Sequence, residues 1–245
     1  MFNYKMKISY DGSRYNGWQR LGDTDNTIQA KIEKVLSLLT EEEISLIGSG
    51  RTDAGVHALN QIANFKTTKQ INPDQILSYC YKYLPLDILV HSVESVDDKF
   101  HARYNVKQKK YLYNIRNSSF HDVFNRKYEL HEETPLDIDA MKKASSYLIG
   151  TMDYRSFTNM KSKTKNTVKT IYEISITKEG DLIRIILSGD GFLYNMVRII
   201  VGTLMMAGKG MMKPDAIKNI LEGRSRELAY ETIAPHGLFL YDSIY

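Results

Sequence analysis

Eleven consecutive residues, Gly48-Ser49-Gly50-Arg51-Thr52-Asp53-Ala54-Gly55-Val56-His57-Ala58, hold the side chains best suited to chemistry. Asp53 is a carboxylate that can serve as nucleophile or base. Arg51, two residues earlier, brings a guanidinium that would lower the carboxyl pKa and keep Asp53 ionised at neutral pH. Glycines at 48, 50 and 55 disfavour regular helix or strand and favour a tightly folded loop. An apolar run precedes the stretch (Ile44 to Ile47) and another follows it (Leu59 to Phe65), so it reads as a shaped loop between two strands. The blander reading is a surface turn with an internal salt bridge. No Gly-Lys-Ser/Thr follows, which argues against a nucleotide-triphosphate loop, and no helical run follows Gly55, which argues against a dinucleotide fingerprint.

Two other places carry functional side chains. Strand alternation in Lys109-Lys110-Tyr111-Leu112-Tyr113 puts Tyr111 and Tyr113 on one face, where they either pack in a core or face a ligand. Arg198 lies in the apolar run Tyr194 to Ala207. A cation there is costly unless it is paired, faces a polar cleft, or reaches solvent along its stem. The six histidines show no metal-ligand spacing and there is a single cysteine, so no metal is expected.

The elements that must position these residues follow from pattern. Lys5 to Tyr10 reads as a strand. A helix follows with its apolar face on Ile28, Ile32, Val35, Leu36 and Leu39, capped by Asn26 with Gln29 as partner. Asn72-Pro73 opens a second helix that Pro85 ends, and Ile88 to Val96 is a strand. Lys109 to Arg116 reads as a strand, Leu136 to Ile149 as a helix closed by Gly150, and Thr170 to Thr177 with Leu182 to Leu187 as a hairpin. Helices over Tyr194 to Ala207 and Pro214 to Leu221 precede a last strand, Leu238 to Ile244. The order of elements repeats without a sequence repeat. It predicts an α+β fold of two related halves, 1–104 and 105–245, each an antiparallel sheet flanked by helices, meeting at a central basic cleft.

The whole chain fits that size and class. It has 245 residues, 42% hydrophobic and 25% charged, and a net charge of +4. One cysteine excludes an internal disulfide and fits a reducing compartment. No stretch reads as a leader or a membrane span, so a cytoplasmic protein without a membrane partner is expected. Lys99 to Arg116 contains six basic residues and no acid, interleaved with Phe100, Tyr104, Tyr111 and Tyr113. That mixture of cations and rings points to nucleic acid. Four further lysines lie between Lys161 and Lys169, again with no acid.

The run from Gly48 to Ala58 resembles the active-site motif of the TruA family of pseudouridine synthases. Phe100-His101-Ala102-Arg103-Tyr104 with Tyr111-Leu112-Tyr113 resembles its second motif, and Gly191-Phe192-Leu193-Tyr194-Asn195-Met196-Val197-Arg198 its third. The likeness runs from Tyr10-Asp11-Gly12 to His236-Gly237-Leu238. It implies a homodimeric enzyme with no cofactor and no metal that converts uridine to pseudouridine in tRNA, at positions 38 to 40 of the anticodon stem-loop. It implies Asp53 as nucleophile, Tyr111 against the target base, and Arg198 with Arg51 holding the carboxylate in its charged form. The chain departs from the family pattern at Tyr230, where a glycine is usual, and in the lysine-rich run Asn159 to Lys169. A paralogue acting on ribosomal RNA and a non-catalytic RNA-binding protein are the alternatives, and an enzyme for a phosphate ligand is a weaker one.

Overall fold

The computed structural model describes residues 1–160 and 166–245. The fold is α+β. In chain order, β1 (Phe2–Tyr10), α1 (Ile28–Thr40), β2 (Ile47–Gly48), β3 (His57–Thr67), α2 (Pro73–Tyr83) and β4 (Ile88–Val96) come first. They are followed by β5 (Gln108–Asn117), β6 (Leu130–Glu132), α3 (Ile138–Ser146), β7 (Gly150–Asp153), β8 (Val168–Glu179) and β9 (Leu182–Gly189), then α4 (Met196–Gly208), α5 (Ala216–Gly223) and β10 (Leu238–Ile244). The chain divides into two compact units, Met1–Lys107 with Phe239–Tyr245, and Gln108–Leu238. The last seven residues thus pack with the first unit, whereas the order of elements placed them in a second half beginning at residue 105.

In the first unit the strands run β4-β1-β3-β10, with β2 against the inner part of β3. β1 pairs antiparallel with both β3 and β4. The expected antiparallel sheet is therefore mixed, because β10 lies parallel to β3, pairing Phe239 with His57 and Leu240 with Ala58. Alternation along β1 buries Tyr4, Met6, Ile8 and Tyr10. The predicted apolar face of α1 is buried at Ile28, Ile32, Val35 and Leu36. Its cap is Thr27, whose hydroxyl accepts from the Ala30 amide at 3.3 Å; Asn26 instead donates to the Arg14 carbonyl. Gln29 is no capping partner either. It accepts from the Arg20 amide and donates to Glu33 and to the Leu46 carbonyl, tying the 11–27 loop to the helix.

The second unit has the order β5-β9-β8-β7, all antiparallel, with the short β6 parallel to β5. β8 and β9 form the predicted hairpin, closing at Glu179 opposite Leu182. α4 is buried almost all round. It starts at Met196 rather than Tyr194, because Asn195 is left-handed at φ 60° and cannot continue a helix. α3 stops at Ser146 with Tyr147 as its C-cap. Gly150, expected to close that helix, begins β7 at φ +123°. Among the described residues no helix is long and apolar enough to cross a membrane.

Two stability predictions follow from this packing. Thr27→Ala should lower the unfolding free energy by about 1 kcal/mol in a urea titration, the ordinary worth of an N-cap, and Asn26→Ala by less. Burial pushes the Cys80 thiol up from 9.0 to about 12 and raises the phenols of Tyr15, Tyr113, Tyr154 and Tyr245 in the same direction. These groups hold their protons more tightly folded than unfolded, so their contribution is fully present below about pH 9 and is lost as pH rises above it. Stability should be level from pH 8 to about pH 9 and fall from there to pH 11, and native Cys80 should resist iodoacetamide at pH 8.

Candidate active site

The loop bearing Asp53 joins β2 to β3, which pair antiparallel with Ile47 opposite Asn64 and Gly48 opposite Ala63. Its entry is fixed by the Ser49 amide on the Ile62 carbonyl at 2.7 Å, and by Gln61, whose amide nitrogen donates to the Gly50 carbonyl at 2.8 Å. Its centre is fixed at Thr52. The Trp18 amide donates to the Thr52 carbonyl at 3.0 Å, and the buried Thr52 hydroxyl lies 2.7 Å from that of Tyr10. Its exit is a tight turn in which the Val56 amide reaches the Asp53 carbonyl at 3.1 Å, with Gly55 at φ +76°. Asp53 is half-buried between these anchors, and Arg51 is exposed.

The neighbouring loop, residues 11–27, is shaped to fit. Gly17 has φ +91°, and a Cβ there would stand 2.6 Å from the Thr52 carbonyl oxygen. Only glycine permits that approach. Trp18 is buried against Tyr10, with ring centroids 6.0 Å apart. Tyr15 donates to Asp87 at 2.5 Å, and burial followed by that carboxylate raises its phenol pKa. His57, at the start of β3, is buried and stacked on Phe239 at 4.7 Å. Its Nδ1 lies 3.0 Å from the Gly12 amide and 3.2 Å from an Asp11 oxygen. The Gly12 amide donates to that nitrogen. His57 is a hydrogen-bond partner within the loop framework.

In the second unit, Tyr111 is buried on β5 opposite Leu187 and meets Phe192 edge-on, with centroids 5.1 Å apart. Tyr113 shares its face but is wholly buried, and its hydroxyl donates to the Ala234 carbonyl at 2.7 Å. It is a core residue and offers no ring to a ligand. Arg198 is partly buried on α4. Its Nε donates to the Ile233 carbonyl at 2.7 Å and one terminal nitrogen to Asn195 at 3.2 Å. The carbonyl it uses belongs to the segment 229–237, which is fixed along its length. The Tyr230 amide donates to Thr203, Arg226 donates to the Ala229 carbonyl, and Gly237 packs where a Cβ would meet the Asn114 carbonyl oxygen at 2.8 Å. Tyr230, the departure from the family pattern, lies over Gly202 with its ring partly exposed. Burial, helped by the charge of Arg198, holds the His236 imidazole below its ordinary pKa, so it is neutral at pH 7.

Asp53 and Arg51 thus belong to one unit, and Tyr111 and Arg198 to the other. The basic run is less available than its composition implied. Arg116 is taken up by Glu129 through two hydrogen bonds of 2.8 and 3.1 Å. Arg103, Tyr104 and Lys107 are exposed, with the Tyr104 ring stacked on His101 at 4.1 Å. Of the second run, Lys161, Lys163 and Lys165 lie outside the described residues. The partners Tyr10, Trp18, Gln61 and Ile233 escaped sequence reasoning, although Tyr10 lies in a segment that carries the resemblance.

Comparison with known proteins gives the family of the chain. A family model described as tRNA pseudouridine synthase matches residues 6–105 and 144–245. A Bacillus cereus protein named tRNA pseudouridine synthase A 2 is 47% identical over 98% of both chains. One from Bacillus sp. (strain KSM-64), named tRNA pseudouridine synthase A, is 51% identical over 94% of each. One from Clostridium tetani, named tRNA pseudouridine synthase A 1, is 48% identical over 100% of both. The chain belongs to the tRNA pseudouridine synthase family.

Proposed function

We propose that this protein isomerises uridine to pseudouridine in tRNA, at positions 38 to 40 of the anticodon stem-loop, with Asp53 as the catalytic carboxylate. The observation that carries the reading is Asp53 itself. It is half-buried in a loop whose neighbour Thr52 is bonded through both carbonyl and hydroxyl, in a chain similar over nearly its full length to proteins named for this activity.

The reaction breaks the C1′–N1 bond of uridine and joins C5 to C1′. The base stays, turned over; C5 loses a proton and N1 gains one. No atom is transferred to or from a second substrate, so one carboxylate suffices, either adding to the nucleotide or removing a sugar proton. In this reading Tyr111 lies against the target base, and Arg198 and Arg51 supply the positive charge that keeps the carboxylate ionised. The base must leave its stack first, at a cost of a few kcal/mol. Contacts of exposed cations with phosphate, including Arg103 and Lys107, offset that cost. The enzyme works in the cytoplasm as a homodimer, and no cofactor takes part.

Asp53→Ala should abolish pseudouridine formation in a tRNA transcript and leave RNA binding within about threefold of wild type by filter binding. Unchanged turnover would remove Asp53 from the mechanism. Loss of modified sites only in ribosomal RNA, in cells lacking the protein, would transfer the activity to that substrate. Gly17→Ala should fold, bind RNA and lose about a hundredfold in rate, since a shift of the order of 1 Å in a catalytic group has that effect. A wild-type rate in this variant would show that the Thr52 backbone need not stay where it is.

A further inference from the structure

The last strand touches both ends of the Asp53 loop. At the exit, Phe239 and Leu240 pair with His57 and Ala58, and the Phe239 ring stacks on His57. Farther along β3, the Asn60 amide group donates to the Tyr241 carbonyl at 3.0 Å. At the entry, the buried Ser243 hydroxyl lies 2.9 Å from that of Ser49. Tyr245 then donates to the Ala102 carbonyl at 2.6 Å, packs on Phe100 with centroids 5.2 Å apart, and shares a hydrogen bond with the Ser49 side chain.

The direction of the Ser49–Ser243 bond follows from counting protons. The Gln61 amide nitrogen faces the Gly50 carbonyl, so its oxygen faces Ser49, 2.6 Å away. A serine has one hydroxyl proton. Ser49 gives its own to Gln61, and Ser243 must therefore donate to Ser49. The chain runs from Ser243 to Ser49 to Gln61 to the Gly50 carbonyl, with its three side chains buried.

We propose that Ser243 is a positioning residue for the Asp53 loop, acting through Ser49 from the carboxyl-terminal strand. This rests on the catalytic reading of Asp53 given above. Without the Ser243 donor, Ser49 keeps its bonds to Gln61 and Tyr245 but loses its side-chain contact with β10 itself. The entry keeps the Ser49 amide on the Ile62 carbonyl and the Gln61 bond to Gly50, but its side-chain tie to the last strand is gone, so it loosens more than the exit. A loop loosened at one end samples positions in which Asp53 is misplaced.

The test uses the full chain and two readouts. Hydrogen exchange in Ser243→Ala should show the Ser49 amide at least tenfold less protected, with the amides of α2 unchanged. Under single-turnover conditions with saturating enzyme, where partial unfolding lowers amplitude and not the rate constant, Ser243→Ala should react about tenfold more slowly. In a Ser49→Ala background the same change should have no further effect, because its route is gone. Unchanged protection at Ser49 overturns the proposal, as does an unchanged rate constant or an additive double variant. If the wild-type chain makes no pseudouridine, the catalytic reading fails, and the exchange arm still decides whether Ser243 holds the loop.

Discussion

The hydrogen bonds at Thr52 are the constraint on which the site depends. A connection with glycines at 50 and 55 has little conformational preference of its own and loses much freedom when ordered. It is held from outside, by the Trp18 amide on one side of the peptide and the Tyr10 hydroxyl on the side chain. Each such bond contributes about 1 kcal/mol net, but leaving a buried partner unsatisfied costs about 1–3 kcal/mol. That asymmetry keeps the residue before Asp53 in one place. The turn that follows Asp53 is local, so the carboxylate sits between a long-range clamp and a short-range one. Rigid support of this kind is what a catalytic group requires, because the reacting geometry has to exist before substrate arrives.

The second unit solves the same problem for a cation. A guanidinium on an apolar helix would ordinarily extend along its stem into water. Arg198 is held by the Ile233 carbonyl and by Asn195, one helical turn back. Ile233 is in turn kept in place by contacts along the 229–237 segment, including the Tyr113 hydroxyl on its neighbour Ala234. Tyr113 therefore serves the unit from inside the core. Alternation puts it on the same face as Tyr111, but alternation gives only the face. How deep each ring lies depends on what covers that face.

What could be read in advance divides along the range of the forces involved. Ile88 to Val96 and Leu238 to Ile244 were bounded to the residue, and the Asn72 cap with Pro73 behind it was visible, because alternation and capping act between near neighbours. Asn26 is by type the better cap of two adjacent candidates, and only the path of the chain gives the role to Thr27. β6 and β7 have three and four residues, too few to show a period. The parallel pairing of β10 with β3 leaves no local trace, since a strand's partner is not written in its own sequence. Asp53 was legible because its motif is contiguous. The groups that hold Asp53 were not, because Tyr10 and Thr52 are 42 residues apart and Ser49 and Ser243 are 194 apart.

Those separations bear on how the site forms. Closing a long loop costs entropy before its contacts repay it, so non-local pairings tend to form late. In the first unit the helices α1 and α2 and the β1–β3–β4 ladder need only residues up to Val96. The last strand adds one parallel edge and the donor to Ser49, at the far end of the chain. A fold with most of its core in place can therefore still lack an ordered Asp53 loop. The buried faces of β1 and α1 and the few polar contacts converging on residues 49–57 are thus different parts of the same unit.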